Sequence, residues 1–337
     1  MKYNHTVSSL LRGTCLAFAI AAMTSMSNAA LVTMTGTGDA NTTPFTSSFI
    51  NGTNWTGGAA PSAGNTYEVG SVQSIRTPTD GSTSVTFMGD SLTLNGSGAV
   101  DQGRLLYKGQ STAAITTTLN IASLILNGGG IENATNTNGS TMIIGGGVVN
   151  VTSASSINRS SRNGPVIINS TLTGNGMLTI GGQLNNGSSV TFNGVNTYTG
   201  NMVVTNAGGA GLILGALGSF NFAIGQSGIS NNISATGVGS ATFEGTFVMD
   251  LTNAAATGSW NIVSAATITE IYNSATFAVK DQLGNAWTQD NDVWTSPGGT
   301  YQFAEATGAL TSIPEPSSLL LGAAGIVGAF ARRRRVA

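Results

Sequence analysis

The sequence predicts an all-β fold: an elongated, right-handed parallel β-solenoid with a small antiparallel β cap, flanked by an N-terminal signal helix and a C-terminal hydrophobic helix. Three observations carry this expectation. Short apolar runs ending in Gly or Asn-Gly recur along the chain, as strands interrupted by tight turns do. Charged residues make up 8% of the chain and hydrophobic residues 40%, the reverse of the weakly hydrophobic, highly charged composition that keeps a chain disordered. Between Glu132 and Glu244 there is no acidic residue, and only Arg159 and Arg162 are basic. Such a stretch suits in-register stacking, because like charges laddered every ~4.8 Å repel whereas Asn and Thr hydrogen-bond along the stack.

At the N-terminus, Lys2 and Arg12 precede an apolar segment from Leu16 to Met23, and Ser27-Asn28-Ala29 offers the small residues that a signal peptidase reads. Residues 1–29 are therefore predicted to be a signal peptide cut after Ala29, which makes the secretion translocon and signal peptidase partners of the chain. Cys15 follows Arg12-Gly13-Thr14, which is no lipobox, and reads as a spacer within the discarded segment.

Residues 30–243 read as the solenoid. Leu92-Thr93-Leu94-Asn95-Gly96, Leu124-Ile125-Leu126-Asn127-Gly128, Met142-Ile143-Ile144-Gly145-Gly146, Leu178-Thr179-Ile180-Gly181-Gly182 and Val190-Thr191-Phe192-Asn193-Gly194 are five versions of one unit. Strands this short bury no core singly, but stacked as rungs each adds side chains to a continuous interior column. The irregular spacing demands turns of varied length, and a β-sandwich with long hairpins is the competing architecture.

Gly194-Val195-Asn196-Thr197-Tyr198-Thr199-Gly200, with Val203, Val204 and Asn206-Ala207-Gly208, resembles the autotransporter-associated β-strand repeat, with one copy near 190–214. The resemblance implies a turn followed by an inward-facing apolar strand, with the Tyr stacked on the adjacent rung. Asn201-Met202 departs from the Gly-Thr usual there. Leu172-Thr173-Gly174-Asn175-Gly176-Met177-Leu178-Thr179 resembles the lead-in to that repeat. Asn54-Trp55-Thr56-Gly57-Gly58, with Pro61, Gly64 and Arg76, looks like the opening module of similar surface proteins. The terminal Arg-Arg-Arg-Arg-Val-Ala lacks the alternating strands of an outer-membrane barrel.

Composition shifts near Glu244. Residues 244–312 hold Trp260, Trp287 and Trp294 and seven acidic residues, and read as the β cap that shields the open end of the solenoid. Trp287 and Trp294 flank Asp290 and Asp292, so they are candidates for a sugar-stacking platform as well as for the core of the cap. Asp290-Asn291-Asp292 resembles a fragment of a calcium loop without the remaining ligands.

The last 25 residues, 313–337, form a tag in three parts: Pro314-Glu315-Pro316, an apolar run from Leu319 to Ala331, and Arg332, Arg333, Arg334 and Arg335. The apolar run favours the bilayer and the arginines resist crossing it, so the chain stalls with its tail in the cytoplasm. These parts, in this order, resemble the PEP-CTERM sorting signal of Gram-negative bacteria, which implies an exosortase as processing enzyme, cleavage near Pro-Glu-Pro, and release to the cell surface or matrix. Ser317 to Ala331 as a helix spans about 22 Å, short of the ~30 Å hydrocarbon core, which suits transient inner-membrane insertion.

Loss of both tags restricts the chemistry. The only cysteine, Cys15, and the only histidine, His5, go with the signal peptide, excluding disulfides, cysteine nucleophiles, Ser-His-Asp triads, haem and ordinary zinc sites from the body. The body keeps 6 basic and 13 acidic residues, a balance that repels nucleic acid and anionic lipid. No cofactor or metal is expected. The leading reading is a non-enzymatic structural or adhesive protein of the cell surface or biofilm matrix, with exopolysaccharide as a further partner. A carbohydrate-binding module and a β-helical polysaccharide lyase or hydrolase are the alternatives; the latter needs only carboxylates, which are scattered singly upstream of 244.

Overall fold

The computed structural model describes residues 29–35, 48–97, 103–109, 112–135, 137, 139–157, 164–181, 189–205, 211–237 and 239–313. The expected signal helix, the C-terminal helix, and Arg159 and Arg162 lie outside these residues. About half of the described residues lie in short strands joined by turns, and the only described helices are the 3-10 turns Gly52–Asn54 and Glu305–Thr307. No described helix is long and apolar enough to cross a membrane.

The body is a parallel β-solenoid of about seven turns. Each coil passes through three strands in order. Ser91–Asn95, Arg104–Tyr107 and Thr116–Ile121 form one coil, and Ser123–Asn127, Gly130–Asn133 and Thr141–Gly145 form the next. Equivalent strands of successive coils pair in parallel, giving three sheets of six, seven and eight strands, here the first, second and third. A step along the third sheet runs from Ser84 to Thr118, from Thr116 to Thr141, from Met142 to Val166 and from Val166 to Val190.

Alternation along each strand sends every second side chain inward, and register stacks these into columns. Tyr67, Leu92, Leu124, Val149 and Leu172 line the first sheet. Ile75, Leu105, Ile131, Ile157, Ile180 and Val204 line the second. Leu119, Ile144, Ile168, Phe192, Leu214 and Phe243 line the third. All are essentially inaccessible to solvent, and each contributes about 1.5–3 kcal/mol of burial relative to exposure. Polar ladders tie the coils together at the corners: Asn127 Nδ2 donates to Asn95 Oδ1 at 2.9 Å, and Asn193 Nδ2 to Asn169 Oδ1 at 3.0 Å.

The five apolar-Gly units fall on all three faces. Those beginning at Leu92 and Leu124 are direct neighbours on the first sheet, Leu178 begins a strand of the second, and Met142 and Val190 lie two coils apart on the third, with Val166 between them. Their irregular spacing arises because the same pattern serves different sides of the coil.

Parallel pairing continues past residue 244. Thr246–Asp250 pairs with Ser219–Ala223 and with Ala278–Asp281, and Ile268–Tyr272 adds the last strand of the third sheet. The antiparallel part is therefore smaller than the 244–312 expected from composition. It consists of Ser259–Asn261 and four strands from Thr288 to Ser312, in the order Ser259–Asn261, Ala309–Ser312, Tyr301–Ala304, Val293–Thr295, Thr288–Asp290. The compositional change begins early because the last parallel coils already carry the aromatic core, Phe243, Phe247, Tyr272 and Phe277, on which this sheet sits.

Candidate functional site

The export and sorting motifs expected from the sequence lie on either side of the described residues. Ala29, after which signal peptidase is expected to cut, is exposed, and the next residue opens the first strand, Ala30–Thr33, which pairs in register with Asn65–Glu68. Ser27 lies outside the described residues. At the other end, the last strand is held to its terminal residue: Ser312 N donates to Gly258 O at 3.0 Å, Gly258 N to Ser312 Oγ at 2.8 Å, and Ile313 N to Thr300 O at 2.7 Å. Pro314, Glu315, Pro316 and Arg332 to Arg335 lie outside the described residues.

Residues Gly194 to Gly200 cross from the third sheet to the second along the edge of the first. Thr197 N and Thr199 N donate to Leu172 O and Gly174 O of the preceding coil, and Asn196 Oδ1 accepts from Leu172 N at 2.8 Å. Tyr198 is buried, its hydroxyl donating to Gly176 O at 2.6 Å, and burial pushes its pKa upward. A Cβ on Gly200 would collide with the Gly176 carbonyl and the Tyr198 ring, so glycine is required where the two coils meet.

The sugar-stacking expectation for Trp287 and Trp294 is corrected by their burial. They are 4% and 7% exposed, and neither presents a face to a sugar. Trp294 packs edge-on against Phe277, its indole N–H donating to Glu305 Oε1 at 2.6 Å. Asp290-Asn291-Asp292 closes a hairpin: Asp290 pairs with Val293, and Asn291 and Asp292 take positive φ values of 48° and 61°. That is a two-residue turn of the kind Asn and Asp favour. Among the described residues no group of three or more His, Cys, Asp or Glu side chains is placed to hold a metal ion.

A groove that the sequence did not reveal lies between the last coil and the antiparallel sheet. Ile268, Thr269, Glu270 and Tyr272 line one side, Asp292, Glu305 and Ala306 the other. Its origin is topological. The inward column Met142, Val166, Val190, Leu212, Ala241 ends at Glu270, and the column beside it ends at Tyr272. Partial desolvation raises the pKa of both Glu270 and Glu305; for Glu305 the Asp292 charge adds to the rise, while the bonds from Trp294 and Gln289 oppose it. Tyr272 is raised by burial and by the charges of Glu270 and Glu305. The groove thus holds carboxyls that take up protons more readily than exposed ones. The available signal was Glu270 within Ile268-Thr269-Glu270-Ile271-Tyr272, an acid at an inward position of an otherwise alternating strand.

Comparison with known families decides the tail. Residues 312–335 match the PEP-CTERM protein-sorting motif. The motif implies export, transient membrane anchoring and processing by an exosortase. No curated protein and no solved structure matches the chain.

Proposed function

We propose that the protein is an exported exosortase substrate, released to the cell surface or extracellular matrix, where its solenoid has a structural or adhesive role without catalysis. The observation that carries this reading is the position of the PEP-CTERM motif: it begins at Ser312, the last residue of the last strand. The last described strand thus runs into the sorting signal, with Ile313 alone between Ser312 and Pro314 in the sequence. In this reading residues 1–29 are the signal peptide, the apolar run before Arg332 is a temporary anchor, and exopolysaccharide of the matrix is the surrounding medium. The hydrogen bonds on Ser312 and Ile313 keep the cap closed up to the processing site.

Replacing Pro314, Glu315 and Pro316 with Ala in the exosortase-bearing host tests the assignment. The account expects the altered protein to stay membrane-bound with its arginines, while the unaltered one loses them; release of both would exclude the motif as the processing signal.

A second reading is supported by the groove. A polysaccharide-cleaving solenoid would use Glu270 or Glu305 as a proton donor, since both are raised. Cleavage of any glycan in a broad panel, abolished by Glu270→Gln or Glu305→Gln, would establish it in place of the non-catalytic role.

A further inference from the structure

The outward side of the third sheet supports a conclusion that does not depend on tail processing. Register aligns one central column on this side: Thr118, Ile143, Ile167, Thr191, Ile213 and Thr242 stack coil on coil, ending at Ile271. All have part of their surface exposed, and Ile271 is 61% exposed. The column begins at Ser84 and from Thr118 onward contains only Thr and Ile, an uncharged, largely β-branched ridge on a body with 13 acidic and 6 basic residues. Beside it Thr116 aligns with Thr141, and Ser240 with Thr269, again without charge.

We propose that this ridge is a self-association face, on which a second copy of the chain packs sheet against sheet. Charge permits that occupant, because no charged side chain stands on this column and two acidic bodies can approach here without direct repulsion. Shape supports it too: parallel sheets with aligned columns pack face to face at about 10 Å, with β-branched side chains interleaving. Eight strands of 3 to 6 residues, at about 4.8 Å spacing and about 3.3 Å per residue, give a footprint near 34 by 14 Å. That is roughly 480 Å² before side-chain relief, a little over half of the ~800 Å² per partner of a specific interface, as suits a weak, concentration-dependent dimer. A glycan is the weaker occupant, since the ridge carries no aromatic ring and all four Trp are buried elsewhere, at Trp55, Trp260, Trp287 and Trp294.

Sedimentation velocity of the exported protein, purified after secretion and taken to about 100 µM, tests the face. The expected result is a concentration-dependent dimer that disappears with Ile167→Lys and Ile213→Lys. It should persist with Asn150→Lys, on the outward side of the first sheet. Circular dichroism and thermal unfolding of each variant separate loss of dimer from loss of fold; if Ile167→Lys unfolds the chain, Thr191→Cys replaces it. That variant should form an intermolecular disulfide on mild oxidation, since the only other cysteine, Cys15, lies in the leader. A monomer at every concentration, a dimer untouched by both lysines, or a monomer that binds neutral polysaccharide through the same residues would each overturn the proposal.

Discussion

The two ends of the solenoid are closed by different means. At the N-terminal end Phe49 and Trp55 fold over the first coil and meet Tyr67 and Phe87 in edge-on contacts, with centroids 4.9 to 6.2 Å apart. The polar atoms of these rings are satisfied, Trp55 Nε1 donating to Phe49 O at 2.9 Å and the Tyr67 hydroxyl accepting from Ser62 N at 2.9 Å. At the C-terminal end Phe247 touches Phe222, Phe243, Phe277 and Phe303 beneath the antiparallel sheet, but the edge of that cluster opens into the groove of Glu270, Asp292 and Glu305. A solenoid end must cover an apolar column and also deny its last strand to a stranger. At one end a loop covers the apolar column and pairs part of the edge through the bridges Met34–Trp55 and Ser48–Arg76. At the other, an apolar cover and inward carboxylates divide the task.

The largest effects should come from the aromatic centres. Trp55→Ala and Phe247→Ala are each expected to cost about 3–5 kcal/mol, measured by chemical unfolding. If rungs interact mainly with their neighbours, hydrogen exchange should accelerate first in residues 65–107 for Trp55→Ala and in residues 239–281 for Phe247→Ala. Acceleration of the whole chain by either variant would erase the distinction between the ends.

Gly200→Ala should follow, at about 2–3 kcal/mol, because the added methyl meets the Gly176 carbonyl between two coils rather than at either end. The paired tryptophans sharpen the contrast within the cap. Trp294→Phe leaves Glu305 without its indole donor and should cost about 1–3 kcal/mol. In Trp287 the indole nitrogen is buried without a hydrogen-bond partner, so Trp287→Phe should lie within about 1 kcal/mol of the parent. Equal losses would dismiss the difference.

The smallest effect concerns the groove. Because burial raises the Glu270 pKa, the folded chain holds this proton over a pH interval in which the unfolded chain has released it. Stability therefore falls as pH rises through that interval. Glu270→Gln removes the cost and should raise the melting temperature slightly at neutral pH, by less than about 1 kcal/mol of stability, with no gain below the ordinary glutamate range. A loss at neutral pH would mean that the carboxylate is held by favourable contacts instead.

Much of the fold was legible in the chain, for reasons visible in particular residues. Leu92-Thr93-Leu94 and Leu124-Ile125-Leu126 announce strands by alternation, and Asn95 and Asn127 mark the corner where they ladder. Which face a unit occupies was not legible, since Met142-Ile143-Ile144 on the third sheet reads like Leu178-Thr179-Ile180 on the second. The tail was read directly because its recognition depends on local order alone. The groove was not, because Glu270 and Glu305 meet only after the chain has passed through the last parallel strands and the antiparallel sheet. The tryptophans misled for a related reason: an aromatic beside acidic turn residues looks exposed until the strands that cover it are in place.

The most direct test is the intact mass of the protein recovered from cells with and without an exosortase. The account predicts a product beginning at Ala30 in both cells, and loss of everything beyond the Pro314–Pro316 region only where the enzyme is present. A mass that retains Arg332 to Arg335 in both would contradict it and leave a permanently anchored protein.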